Sequence, residues 1–94
     1  MIRSFQHNGL KRYWNSGSTA RIPANMAERI ADFLTVLDTA ARPADMDQPG
    51  YRFHALRGHR PTRYSVRVTA NWRLTFEWDD TEMSATRVNL EDYH

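Results

Sequence analysis

Between Tyr51 and Trp78, every ionised side chain before Glu77 is an arginine: Arg52, Arg57, Arg60, Arg63, Arg67 and Arg73, with no Asp or Glu from Gln48 to Phe76. Guanidinium forks suit bidentate contact with phosphate and stacking on bases, so this stretch offers polyanion binding. Four histidines, His7, His54, His59 and His94, titrate near neutral pH and can carry protons. Other readings stand beside that one: His54 as an ordinary half-exposed strand residue, His94 as a frayed chain end. Glu77 is a candidate general base or, more simply, a charge partner for Arg67 or Arg87. The histidines have no recognised metal-ligand spacing, and Gly9, Gly17, Gly50 and Gly58 are too scattered for a phosphate-cradling loop, so neither metal nor cofactor is expected.

These residues need a scaffold, and hydrophobic periodicity outlines one. Met1 to Phe5 reads as a short first strand. A helix follows over GLKRYWN, with Asn8 as its cap and Gly17 beyond its end; Ser16 to Ala20 reads as a loop. Pro23 suits the first turn of a second helix, whose apolar stripe is Met26, Ile30, Phe33, Leu34 and Leu37. Ala40 to Gly50 reads as an irregular crossover.

Alternation then predicts strands. Tyr51, Phe53 and Ala55 oppose Arg52, His54 and Leu56; Tyr64, Val66 and Val68 oppose Ser65 and Arg67. Trp72, Leu74, Phe76 and Trp78 oppose Arg73, Thr75 and Glu77. After a turn at Asp79 to Glu82, Thr86, Val88 and Leu90 oppose Arg87 and Asn89. The pattern predicts an α+β domain, two N-terminal helices packed on one face of a mainly antiparallel sheet of about four to five strands, with His54, Arg67, Arg73 and Arg87 on the open face.

The whole chain bounds these readings. Its 94 residues suit a single domain over 1–94. A 40% hydrophobic and 26% charged composition is ordinary for a globule and argues against disorder. Cysteine is absent, which excludes disulfides and thiolate catalysis. No stretch looks like a signal peptide or a bilayer span, so a cytoplasmic protein without a membrane partner is expected.

Four segments, MIRSF at the start, HALRGHR at 54–60, YSVRVTANWRLTF at 64–76 and NLEDYH at 89–94, resemble the HigB branch of the RelE/ParE toxin superfamily across nearly the whole chain. The resemblance implies a ribosome-dependent mRNA endonuclease acting in the A site, neutralised by a HigA-type helix-turn-helix antitoxin and meeting operator DNA only through it. It implies catalytic roles for His54, Arg73, Asp92, Tyr93 and His94. Arg57 stands where many relatives carry Lys; it keeps the charge but is too basic to exchange a proton near neutral pH.

RNA carries its own nucleophile, the 2′-hydroxyl, so metal-independent cleavage needs a base, cations for the developing phosphorane charge and an acid for the 5′-oxygen. The expected assignment gives acid and base jointly to His54 and His94, and the scissile phosphate to Arg73 and Arg57. Tyr93 stacks on or orients a nucleotide, and Asp92 orients His94 or accepts a proton. Arg52, Arg60, Arg63, Arg67 and Arg87 are expected to contact RNA. Two rivals remain at this stage: a non-catalytic RNA- or ribosome-binding module, and a gyrase-targeting toxin like the ParE branch.

Overall fold

The computed structural model describes residues 1–92. Its elements are α1 (Asn8–Ser16), α2 (Ala24–Thr39), a 3-10 turn (Pro43–Met46), β1 (His54–Leu56), β2 (Arg63–Arg67), β3 (Trp72–Asp79) and β4 (Ser84–Asp92). The four strands form one antiparallel sheet in the order β1-β2-β3-β4. Among the described residues, no helix is long and apolar enough to cross a membrane.

The helices cover one face of that sheet, giving the α+β arrangement expected. Met26, Ile30, Phe33, Leu34 and Leu37 of α2 are buried, as the stripe requires, and they pack with Leu10 of α1 against Val66, Leu74, Phe76, Val88 and Leu90. Each such side chain contributes about 1.5–3 kcal/mol by leaving water. Arg29 fastens α2 to the strands: its guanidinium donates to the carbonyls of Arg67 (3.0 Å) and Gly50 (2.7 Å) and lies over the Phe33 ring. The crossover is more ordered than its composition suggests, because its 3-10 turn places Met46 fully in the core.

The expected first strand exists as two parallel bridges to β4, Ile2 to Ala85 and Phe5 to Val88. Between them β4 carries a bulge. Glu77 pairs with Thr86 and Thr75 with Asn89, so Phe76 alone faces two residues, Arg87 and Val88. Arg87 takes φ 51°, a left-handed conformation uncommon for a non-glycine residue. Its N–H donates to Ser4 Oγ at 2.8 Å, so the displaced backbone group is satisfied.

This bulge corrects one expectation: Thr86 pairs with Glu77 on the polar face and does not share a face with Val88, because the extra residue reverses the alternation. A similar irregularity shortens the expected strand from Tyr51. Tyr51 O accepts from Arg67 N while His54 pairs with Ser65, leaving two residues, Arg52 and Phe53, against Val66 alone. Arg52 has φ 52°, and β1 begins only at His54.

Two helix starts also differ from expectation. Pro23 is the N-cap of α2. The cap of α1 is His7 instead of Asn8: Leu10 N–H donates to His7 Nδ1 at 3.1 Å. Gly9 permits the close seat, since a Cβ there would lie 2.8 Å from Arg21 O and from His7 Cε1. Gly17 closes the helix as expected, left-handed at φ 77° with its N–H on Tyr13 O.

Burial lowers the His7 pKa below the ordinary 6.5. An imidazolium Nδ1 cannot accept the Leu10 N–H, and the unfolded chain takes the proton more readily. This contribution to stability is therefore present above pH 6.5 and lost as pH falls through the lowered folded value. Replacing His7 by Ala should cost about 1 kcal/mol at pH 7.5. His7→Asn should keep the cap but lose the histidine-dependent slope in urea unfolding series run at several pH values; an unchanged slope would dismiss the titrating cap.

Candidate active site

On the face away from the helices, cross-strand register arranges the polar residues in three rows. The first is Arg67, Arg73 and Glu91; the second His54, Ser65, Thr75 and Asn89; the third Leu56, Arg63, Glu77 and Thr86. His54 is exposed in the middle row, next to the Arg67 row on the same face. Beyond Leu56, the β1–β2 connection carries Arg57, His59 and Arg60, all exposed. Arginines thus lie at both ends of the face, with His54 between them.

Arg67 and Arg73 are direct cross-strand partners. Like charges placed opposite each other repel across a sheet; here Glu91, the partner of Arg73 on its other side, offsets part of that repulsion. Both guanidiniums reach the same carbonyl, Thr69 O in the β2–β3 turn, at 3.3 and 3.2 Å. That shared acceptor holds two cations beside the His54 row.

Arg63 occupies a different environment. It is 8% exposed and joins three strands. Its Nη1 donates to Glu77 Oε2 at 2.8 Å; its Nη2 donates to Thr75 Oγ1 at 2.8 Å and approaches Arg87 O at 3.4 Å and Glu91 Oε2 at 3.5 Å. Thr75 Oγ1 in turn donates to Glu91 Oε2. Glu77 also meets Arg87 Nε at 3.2 Å. Its charge partners are therefore Arg63 and Arg87; of the two expected, Arg67 is replaced by Arg63. Above this network lies an open cleft of about 280 Å³, lined by Gln6, His59, Arg63, Glu77, Arg87, Asn89 and Glu91.

The sequence-predicted residues are thus partly gathered. His54, Arg67 and Arg73 lie close on one face, with Arg87 at its bulged margin. Asp92 pairs with Trp72, which places it on the side of β4 opposite Glu91. Arg52 is exposed at the irregularity before β1. Tyr93 and His94 lie outside the described residues. Thr75, Glu91, Asn89 and Gln6 were not anticipated; alternation puts Thr75 and Glu77 on one face, but nothing local links either to Glu91. Among the described residues, no group of three or more His, Asp or Glu side chains could hold a metal ion.

Removing one partner from a buried ionic network leaves the others desolvated and unpaired. Arg63→Ala should therefore lower unfolding free energy by about 3 kcal/mol, read from urea titration at neutral pH. A loss within about 0.5 kcal/mol would class the network with ordinary surface pairs.

Comparison with known proteins adds independent findings. A family model described as a RelE-like toxin of the type II toxin-antitoxin system HigB matches residues 3–94. The chain is 40% identical over 94 residues to "Endoribonuclease HigB" of Proteus vulgaris, covering 100% of both chains. It is also 30% identical over 95 residues to "Toxin HigB-1" of Vibrio cholerae serotype O1, covering 99% of this chain and 100% of that one.

Proposed function

The chain belongs to the HigB-like family of RelE-like toxins of type II toxin-antitoxin systems, and from that premise we propose that it is a ribosome-dependent endoribonuclease that cuts translated mRNA in the A site. Membership in such a system implies an antitoxin partner; a HigA-like helix-turn-helix protein is the proposed one, carrying the pair to operator DNA. A cytoplasmic site of action follows from a ribosomal target. The single observation that best supports nuclease chemistry is the opposed pair Arg67 and Arg73 beside exposed His54.

In the proposed reaction, the 2′-oxygen attacks the adjacent phosphorus and the bond from phosphorus to the 5′-oxygen breaks. The base takes the 2′-hydroxyl proton and the acid returns one to the leaving 5′-oxygen, so the products are a 2′,3′-cyclic phosphate and a 5′-hydroxyl end. His54 and His94 divide these proton transfers. Arg73, with Arg57 from the β1–β2 connection, stabilises the charge that grows on the phosphoryl oxygens. Asp92 orients His94 or accepts a proton, and Tyr93 orients a nucleotide. Arg52, Arg60, Arg67 and Arg87 contact the RNA backbone, where each cation contributes salt-dependent affinity without reading sequence. Every step is carried by these side chains, with no metal.

The proposed dependence on the ribosome has a physical rationale. In-line attack demands a narrow geometry, and holding reactants in it is worth several kcal/mol. His54 is exposed on an open sheet face, where a flexible RNA strand is poorly constrained. A message already held in the decoding site arrives with part of that orientation supplied.

Primer extension on an mRNA translated by purified components tests this. Wild-type protein should produce ribosome-dependent cuts within codons, and His54→Ala should slow them on the order of 10²- to 10⁴-fold, as expected for loss of a general acid or base. Equal cutting of naked RNA would remove the ribosome from the reading. Undiminished cutting by His54→Ala would remove His54 from the chemistry.

A further inference from the structure

Arg63 lies in the arginine-rich stretch, yet its surroundings differ from those of an RNA contact. Its side chain is 10% exposed, and its terminal nitrogens already serve Glu77, Thr75, Arg87 O and Glu91. Because Arg63 Nη2 donates to Thr75 Oγ1, the threonine hydroxyl proton is directed onward to Glu91 Oε2. A polar relay therefore runs from β2 through β3 to the last residues of β4. It ends at Glu91, the cross-strand partner of Arg73 and the residue before Asp92.

We propose that Arg63, Thr75 and Glu91 are positioning residues for RNA cleavage: through the relay they set where the end of β4 lies against Arg73, without touching RNA. The proposal rests on the nuclease reading above. Its physical basis is the bulge at Arg87 and Val88, which interrupts β4 between Ser84 and Glu91. Pairing near Ser84 therefore does not by itself align the far end of the strand; the ladder from Asn89 to Asp92 fixes its register on β3, and the relay adds a side-chain tie to β3 and the bond to β2 that no backbone pairing supplies. Arg63 also approaches the carbonyl of the bulged Arg87, so one guanidinium spans both sides of the register shift.

The test uses the full chain and two readouts: single-turnover cleavage on programmed ribosomes, and affinity for an RNA carrying a 2′-deoxy residue at the cut site, measured over a salt series. Thr75→Val removes the hydroxyl without changing charge. It should keep affinity within about twofold yet slow cleavage on the order of 10- to 100-fold, the effect of a small misplacement, while Thr75→Ser restores the rate. Arg63→Gln should show the same slowing with an unchanged salt slope, whereas Arg67→Ala lowers the slope by about one, as loss of a phosphate contact does.

Circular dichroism establishes that each variant is folded at the assay temperature, and Glu91→Gln, which should also slow cleavage, serves if Thr75→Val is not. Folded Thr75→Val or Glu91→Gln cutting at the wild-type rate would overturn the proposal. So would a salt slope reduced by about one in Arg63→Gln, which would make Arg63 a direct phosphate contact. Wild-type protein that binds programmed ribosomes but leaves the message intact is a different result: it overturns the nuclease reading, and this proposal with it.

Discussion

The polar face depends on the burial of the Arg63 guanidinium. A desolvated cation is tolerable only when its donors are met, and here two carboxylates, a hydroxyl and a main-chain carbonyl from β3 and β4 meet them. The requirement works in both directions. Glu77, only 13% exposed at its side chain, is itself held by Arg63 and Arg87. Thr75, 1% exposed, has its hydroxyl satisfied on both sides. The face that carries the proposed chemistry is therefore a connected polar layer, with exposed His54, Arg57 and Arg60 around an interior that is nearly as buried as the apolar core.

Two register irregularities give that layer its form. Arg52 before β1 and Arg87 within β4 both adopt positive φ without being glycine, a conformation that surrounding structure must hold in place. At Arg87 the holding groups are identifiable: Ser4 accepts its N–H, Arg63 approaches its carbonyl and Glu77 meets its side chain. The N-terminal segment consequently does more than extend the sheet. Its bridges to β4 at Ala85 and Val88 lie on either side of Arg87 and bracket the bulge.

The family assignment and the geometry bear on different questions. Membership in the HigB-like toxins rests on matches along almost the whole chain. How this chain would cut RNA rests on the arrangement of His54 with the Arg67 and Arg73 pair. The arrangement suits a nuclease that borrows substrate orientation, since an open face supplies charge and proton carriers more readily than it constrains a flexible strand.

Much was legible in the chain itself. The spacing of Met26, Ile30, Phe33, Leu34 and Leu37 determined the buried stripe of α2, and strict alternation from Tyr64 to Val68 and Trp72 to Trp78 determined which side chains of β2 and β3 face the helices. These are properties of local periodicity, and apolar burial follows them whatever the neighbours. Tertiary structure alone decided the rest. His7 caps α1 beside Gly9, where a Cβ would lie 2.8 Å from the His7 ring and from the backbone of Arg21, a residue beyond the helix. Thr86 changed faces because a bulge, invisible in alternation, reversed its parity. Arg63, one arginine among six in its stretch, became the buried centre of the polar face because Thr75, Glu77 and Glu91 meet it from other strands. Residue type determined that each arginine carries charge; which charges are met by protein and which remain at the surface is a property of long-range pairing, which no local pattern encodes.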